Sequence, residues 1–213
     1  MPGQTARQAV DAARRTCANI LTAKPDSAVS PREIVFTSGG TESNNLAIFG
    51  IANLYRPAPK AGTVPPAHLI TAAIEHESVL EPVKEFEKRG FRVTYLPVTR
   101  EGVVKLDALK NALAPETVLV SIMAANNEVG TIQPIAEIAR IIAEYKKSLG
   151  RGGDKPPFLH ADACQAAGAL NLPKLIAAGV DLLTLNAGKI YGPKGIGLLY
   201  IREKVRLSPL FYG

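Results

Sequence analysis

The chain has 213 residues, 46% of them hydrophobic and 21% charged, which suits one globular domain or most of one. No apolar run is long enough to span a bilayer. Two cysteines, Cys17 and Cys164, cannot build a disulfide framework and lack metal-ligand spacing, so a reducing cytoplasmic setting is the default. Net charge is +6, but the basic residues are scattered with no Lys/Arg block and no interleaved aromatics. That pattern reads as a solvated surface and speaks against nucleic acid. The opening segment MPGQTARQAVDAARR has no apolar core behind its basic residues, so it is no secretory signal. Its basic, acid-poor helical character leaves an organellar location open.

In chain order, a helix is predicted over Thr5 to Thr22, with Ala9, Val10, Ala13, Cys17 and Ile20 on one face. A loop follows from Pro25 to Pro31, then a strand from Glu33 to Thr37, a turn at Ser38-Gly39-Gly40-Thr41 and a helix from Glu42 to Tyr55. Arg56 to Pro66, rich in Pro, Gly and Ala, reads as a surface connection. Then come strand His68–Ala72, helix Ser78–Arg89 ended by Gly90, strand Phe91–Leu96 and helix Lys105–Leu113. Strand Val118–Met123 and helix Pro134–Leu149 precede strand Phe158–Ala161 and a short helix at Pro173–Ala178. Strands Asp181–Leu185 and Gly197–Ile201 close the chain. The alternation predicts a mostly parallel sheet covered on both faces, a three-layer α/β/α fold.

In such sheets ligands bind in the loops beyond the strand ends. Polar residues cluster there. Ser38-Gly39-Gly40-Thr41 opens a helix, where glycines admit an anion to free backbone N–H groups. The same residues also read as a capped helix start. His76, placed at a strand end beside Glu75, could stack on an aromatic ring or move a proton, or could be a satisfied structural histidine. Asn126-Asn127-Glu128 offers amides to a phenolic oxygen, or plain turn chemistry. Asp162, leaving a buried strand, needs a cationic partner or hydrogen bonds. A protonated pyridine nitrogen would serve, and so would a helix to cap. Gln165 stands nearby. Lys189 follows the last of these strands; at a sheet edge in tight, partly dry surroundings its amine would become a better nucleophile toward carbonyls.

The segments FTSGGTESNNLAI, AIEHESVL, SIMAANNEVGTIQPI, HADACQAAG and GKIYGPKGIGLLYIR occur in order and at compatible separations. Together they resemble the cysteine desulfurase and selenocysteine lyase family, in the class V aminotransferase branch of fold-type-I pyridoxal-phosphate enzymes. The resemblance runs from about Thr5 to Gly213. It implies pyridoxal 5'-phosphate as cofactor, with Lys189 as its Schiff-base lysine. It implies Gly40 and Thr41 at the phosphate and His76 stacked on the ring, with a share in proton transfer. Asn127 and Gln165 would contact the phenolic oxygen, and Asp162 the ring nitrogen. It also implies release of sulfur or selenium from L-cysteine or selenocysteine, giving alanine, and its delivery to an acceptor protein for iron–sulfur cluster assembly or related uses. A homodimer is implied for the complete protein. The alternatives are another class V aminotransferase or lyase, or a catalytically silent protein that binds phosphate or partners.

The chain departs from the family pattern in three places. The family usually reads Ser-Gly-His-Lys at the lysine; here it is Asn186-Ala187-Gly188-Lys189, so Asn186 can replace one phosphate bond but Gly188 cannot replace the histidine. Family members also carry an Asn-Ala-Ala-Thr-Thr-like segment ahead of the first helix and a small C-terminal domain with the persulfide cysteine. Residues 1–213 therefore read as a partial cofactor-binding large domain, inactive alone. Neither Cys17 nor Cys164 lies in a matching motif, and Cys164 is expected to pack as a small thiol under the ring.

Overall fold

The computed structural model describes residues 2–25, 28–55 and 65–212. Of the predicted surface connection from Arg56 to Pro66, residues 56–64 lie outside the described residues. The elements are α1 (Pro2–Leu21), β1 (Ile34–Thr37), α2 (Gly40–Leu54), β2 (His68–Ala72), α3 (Glu77–Lys88), β3 (Arg92–Leu96) and α4 (Leu106–Ala112). They continue as β4 (Thr117–Met123), α5 (Ile135–Ser148), β5 (Phe158–Asp162), α6 (Leu172–Ala178), β6 (Leu182–Asn186) and β7 (Gly197–Ile201). Predicted and observed bounds differ by a few residues at most, the largest shift being the start of α1 at Pro2. Proline fits a first helical turn, where its missing N–H would have no partner.

The seven strands form one sheet in the order β1-β7-β6-β5-β4-β2-β3. β2 to β6 pair in parallel, and β7 runs antiparallel to both β6 and β1. The chain's path reverses between β2 and β4, and a crevice opens beyond the carboxyl ends of the strands at such a reversal. Every residue of β2, β4 and β5 is buried, as expected of strands covered on both faces.

Helices fill both layers. On one face α2 sets Ala47, Ile48, Ile51 and Ala52 against Val79, Val83 and Phe86 of α3 and Leu69, Leu119 and Leu199 of the sheet. Phe86 packs between Phe49 and Phe91, with ring centroids at 4.8 and 4.9 Å. On the other face α1, α4, α5 and α6 cover Ile70, Val120, Ile122, Leu159 and Leu183.

Two of the chain's three histidines are structural. His160 lies between Ser121 Oγ (2.8 Å) and Thr184 Oγ1 (3.0 Å), spanning β4, β5 and β6. His68 lies in the same way between Thr117 Oγ1 and Thr94 Oγ1, each at 2.9 Å. Burial pushes both imidazoles down to about 4, so both are neutral in the folded chain. Unfolded, they take a proton near 6.5. The unfolded state then binds more protons between pH 6.5 and 4, and this contribution to stability is lost as pH falls through that window. Glu75 and Asp181, whose carboxyls burial pushes up, contribute with the opposite sign. The readout is therefore a comparison. Wild type should lose more denaturant resistance than His160→Gln between pH 7.5 and 5; equal losses would show that His160 carries no such linkage.

Candidate cofactor cleft

The loops after β4, β5 and β6 meet the N-terminal ends of α2 and α3 around one cleft. All eight residues singled out from the sequence, Gly40, Thr41, His76, Asn127, Asp162, Gln165, Asn186 and Lys189, line it. Asn44, Ser78, Met123, Ala125 and Cys164 complete its wall.

The turn before α2 is closed from outside the cleft. Ser38 N donates to Glu42 Oε2 at 2.6 Å, and Thr37 Oγ1 meets Ser43 Oγ at 2.7 Å. Gly39 occupies the cap position, so no side chain caps the helix, contrary to the reading of this turn as a capped helix start. The first N–H groups of α2 thus lack a side-chain acceptor at a helix end that favours anions. Gly40 allows close approach there. A Cβ on it would lie 2.6 Å from Cys164 Sγ and 3.6 Å from Asn186 Nδ2. Gly40→Ala should therefore destabilise the chain by about 1–2 kcal/mol through overpacking. Adding Cys164→Ala should restore part of that loss; strictly additive effects in denaturation would contradict this packing.

Asp162 ends β5 and is 7% exposed. Its Oδ1 accepts from Cys164 N (3.0 Å) and its Oδ2 from Asn44 Nδ2 (2.7 Å). Among the described residues no cationic side chain forms an ion pair with it. The structure also corrects the predicted place of His76: β2 ends at Ala72, and His76 is the N-cap of α3. Its Nδ1 accepts from Ser78 N at 3.1 Å and faces Ser78 Oγ at 2.8 Å. A backbone N–H can only donate, so the neutral ring carries its proton on Nε2.

The paired asparagines divide their work. Asn126 makes the turn, its Oδ1 accepting from Glu128 N and Val129 N while its amide donates to Ile74 O. Asn127 faces the cleft. Glu75 is fully buried as a tie to β4, accepting from Met123 N at 2.9 Å, with its carboxyl pushed well up by burial. Asn186 accepts from Gly188 N with its Oδ1, which leaves the amide nitrogen for the cleft. The Cys164 thiol is pushed far up by burial and by the adjacent Asp162 charge, the opposite of a reactive thiolate.

Lys189 differs from expectation. It sits in a single helical turn, Ala187–Lys189, after β6 and is exposed rather than held in dry surroundings.

Sequence reading missed Asn44 and Ser78. Asn44 was legible in principle, because it falls in register with Ala47, Ile48 and Ile51 on the buried face of α2. A polar residue on such a face needs partners.

A mostly parallel seven-stranded sheet between two helical layers, with this cleft at the strand ends, has the architecture of fold-type-I pyridoxal-phosphate transferases. The chain belongs to the aminotransferase class-V family, whose model matches residues 1–213. It is 46% identical over 213 residues to a cysteine desulfurase IscS of Dictyoglomus turgidum, covering 99% of this chain and 48% of the relative. It is 43% identical over 206 residues to a mitochondrial cysteine desulfurase of Candida albicans, covering 96% and 37%. A solved NifS-like protein superposes with a TM-score of 0.83 at 40% identity, covering 99% of this chain and 52% of that one. A structure described as SspA in complex with cysteine also gives 0.83, at 38% identity and with coverage of 99% and 55%. The chain thus spans about half the length of the relatives it matches. Among the described residues no helix is long and apolar enough to cross a membrane.

Proposed function

We propose that residues 1–213 form part of the cofactor-binding large domain of a pyridoxal-phosphate-dependent cysteine desulfurase. The observation that carries this reading is the shared cleft, which sets a buried carboxylate, Asp162, and an accessible amine, Lys189, around an uncapped helix end. The donor set fits the group. Backbone N–H groups at Gly40 and Thr41, with the Thr41 hydroxyl and the Asn186 amide, would hold a phosphate. Asp162, which forms no ion pair among the described residues, would pair with a pyridinium nitrogen. Asn127 and Gln165 would donate to a phenolic oxygen, and the His76 imidazole would cover the ring. When bound, the cofactor supplies an electron sink for bonds at the amino acid's α-carbon. Lys189 would anchor it covalently and carry protons to and from that carbon, while His76, protonated on Nε2, would hold a second exchangeable proton.

In the whole protein the substrate would be L-cysteine or selenocysteine and the product alanine, with sulfur or selenium passed to an acceptor protein. The likeness to cysteine desulfurases and to a cysteine complex supports this choice over other class V reactions. The unreactive setting of Cys164 supports a sulfur-accepting cysteine outside these residues. Exposed apolar side chains around the lysine loop and the loop after β4, among them Val129, Ile132 and Tyr191, support a further segment or a second copy packing there. Relatives from bacterial and mitochondrial sources support a reducing cytoplasmic or organellar location, which suits two free cysteines.

Adding L-cysteine to the cofactor-loaded chain tests the reading. A change in the cofactor absorbance is expected without catalytic turnover, with alanine formed only when an added thiol is present to take the sulfur. A keto acid product would place the chain with the aminotransferases. The glycine before Lys189 gives a second test. A Cβ on Gly188 would meet only Asn186 Oδ1, at 3.4 Å, so a side chain fits. Gly188→His should tighten cofactor binding about tenfold by adding a charge-assisted bond to the phosphate. An unchanged Kd would mean that the backbone and Asn186 already satisfy it.

A further inference from the structure

One buried amide joins the two sides of the cleft. Asn44 is 1% exposed, and its Nδ2 donates to Asp162 Oδ2 at 2.7 Å and to Ser78 Oγ at 2.8 Å. Ser78 Oγ in turn lies 2.8 Å from His76 Nδ1. The proton directions along this path are determined. A carboxylate accepts only, so the amide must present its nitrogen to Asp162. A flipped amide would set oxygen against oxygen. Both amide hydrogens are then spent, Ser78 Oγ receives one of them, and its single proton goes to His76 Nδ1. The orientation also has a cost: Asn44 Oδ1 is buried without a partner among the described residues. An unsatisfied buried acceptor costs stability, so packing alone does not favour asparagine here.

We propose that Asn44 is a positioning residue that couples the charge of Asp162 to the imidazole of His76 through Ser78. This rests on the reading that Asp162 and His76 flank the cofactor ring. Asn44 fixes the carboxylate from α2, orients the Ser78 hydroxyl, and makes the hydrogen-bonding state of His76 respond to what Asp162 binds. When Asp162 shares its charge with a ring nitrogen, its pull on the Asn44 amide weakens. The change passes along the same bonds to the histidine on the other side of the cleft.

The test uses the cofactor-free 213-residue chain with 15N-labelled histidine. Asp162→Asn should shift the His76 imidazole nitrogen resonances, and that shift should be lost when Asn44→Ala is also present. An equal shift in both backgrounds would show a through-space effect and overturn the proposal, as would no shift in either. Ser78→Ala cuts the same path at its other end while keeping the backbone N–H on His76. It must abolish the response too, and it keeps the test available if Asn44→Ala does not fold. Because no cofactor is present, a chain that fails to bind pyridoxal phosphate would sink the functional reading and leave this coupling standing. Lost coupling with intact cofactor binding would do the reverse.

Discussion

Replacing Lys189 with alanine should abolish covalent retention of pyridoxal phosphate. Wild-type chain incubated with the cofactor and reduced with borohydride should gain one cofactor mass on the peptide that contains Lys189. The variant should gain none there. Lys189 is the lysine that lines the cleft, which it shares with Asp162, Asn186 and Gly40 and Thr41 at the start of α2. An aldehyde held by its phosphate and ring nitrogen would meet this amine at high effective concentration, whereas surface lysines meet it only in solution. Noncovalent contacts remain in the variant, so weaker, reversible binding should persist and be visible by fluorescence. Exposure of Lys189 sharpens the prediction. Because Lys189 is exposed, selectivity must come from its position in the cleft, so labelling of wild type should fall off when free phosphate competes for the turn at Gly40 and Thr41. Adduct spread over several lysines would mean that the cleft does not select one.

Asp162→Asn should have the second-largest effect, on both stability and affinity. In the wild-type chain two donors, Asn44 Nδ2 and Cys164 N, converge on the two carboxylate oxygens. An amide offers one oxygen, so one donor must face an NH2 group. Loss of a buried hydrogen bond to a charged acceptor costs about 1.5–3 kcal/mol. The charge that would pair with a pyridinium is also removed. Cofactor affinity should fall about ten- to a hundredfold, as expected for loss of a charge-assisted bond. Denaturation with and without cofactor separates the effects, because the ligand-dependent gain in stability reports the Kd independently of intrinsic stability. An Asp162→Asn chain that binds the cofactor as tightly as wild type would remove the acid from its assigned place.

Much of this was legible in sequence because two signals agreed. Hydrophobic periodicity gave the order of elements, and His68–Ala72 and Gly197–Ile201 match their predicted bounds. Polar residues after the strands gave the cleft, since in a sheet covered on both faces such positions converge at one end. What stayed hidden required contacts between elements. The reversed direction of β7 is set by its pairing with β1 and β6, which alternation does not encode. The role of His76 depended on its imidazole capping α3 through Ser78 N, a contact that the residue pattern does not encode. The exposure of Lys189 depended on a short turn whose asparagine, Asn186, caps it with its own side chain. Asn126 and Asn127 are equivalent by composition; the family resemblance picked out Asn127, and the fold sets Asn126 in the turn and Asn127 at the cleft. Asn44 was written into the helical register, yet its partners come from α3 and β5, distant in sequence.

The whole account depends on where an aldehyde cofactor sits in this chain, and a crystal structure of the 213-residue chain grown with pyridoxal phosphate measures that directly. The account predicts the phosphate at the Gly40–Thr41 turn, the ring nitrogen within hydrogen-bond distance of Asp162, and continuous density from the aldehyde carbon to Lys189. Cofactor bound elsewhere, or its ring nitrogen turned away from Asp162 at full occupancy, would contradict it.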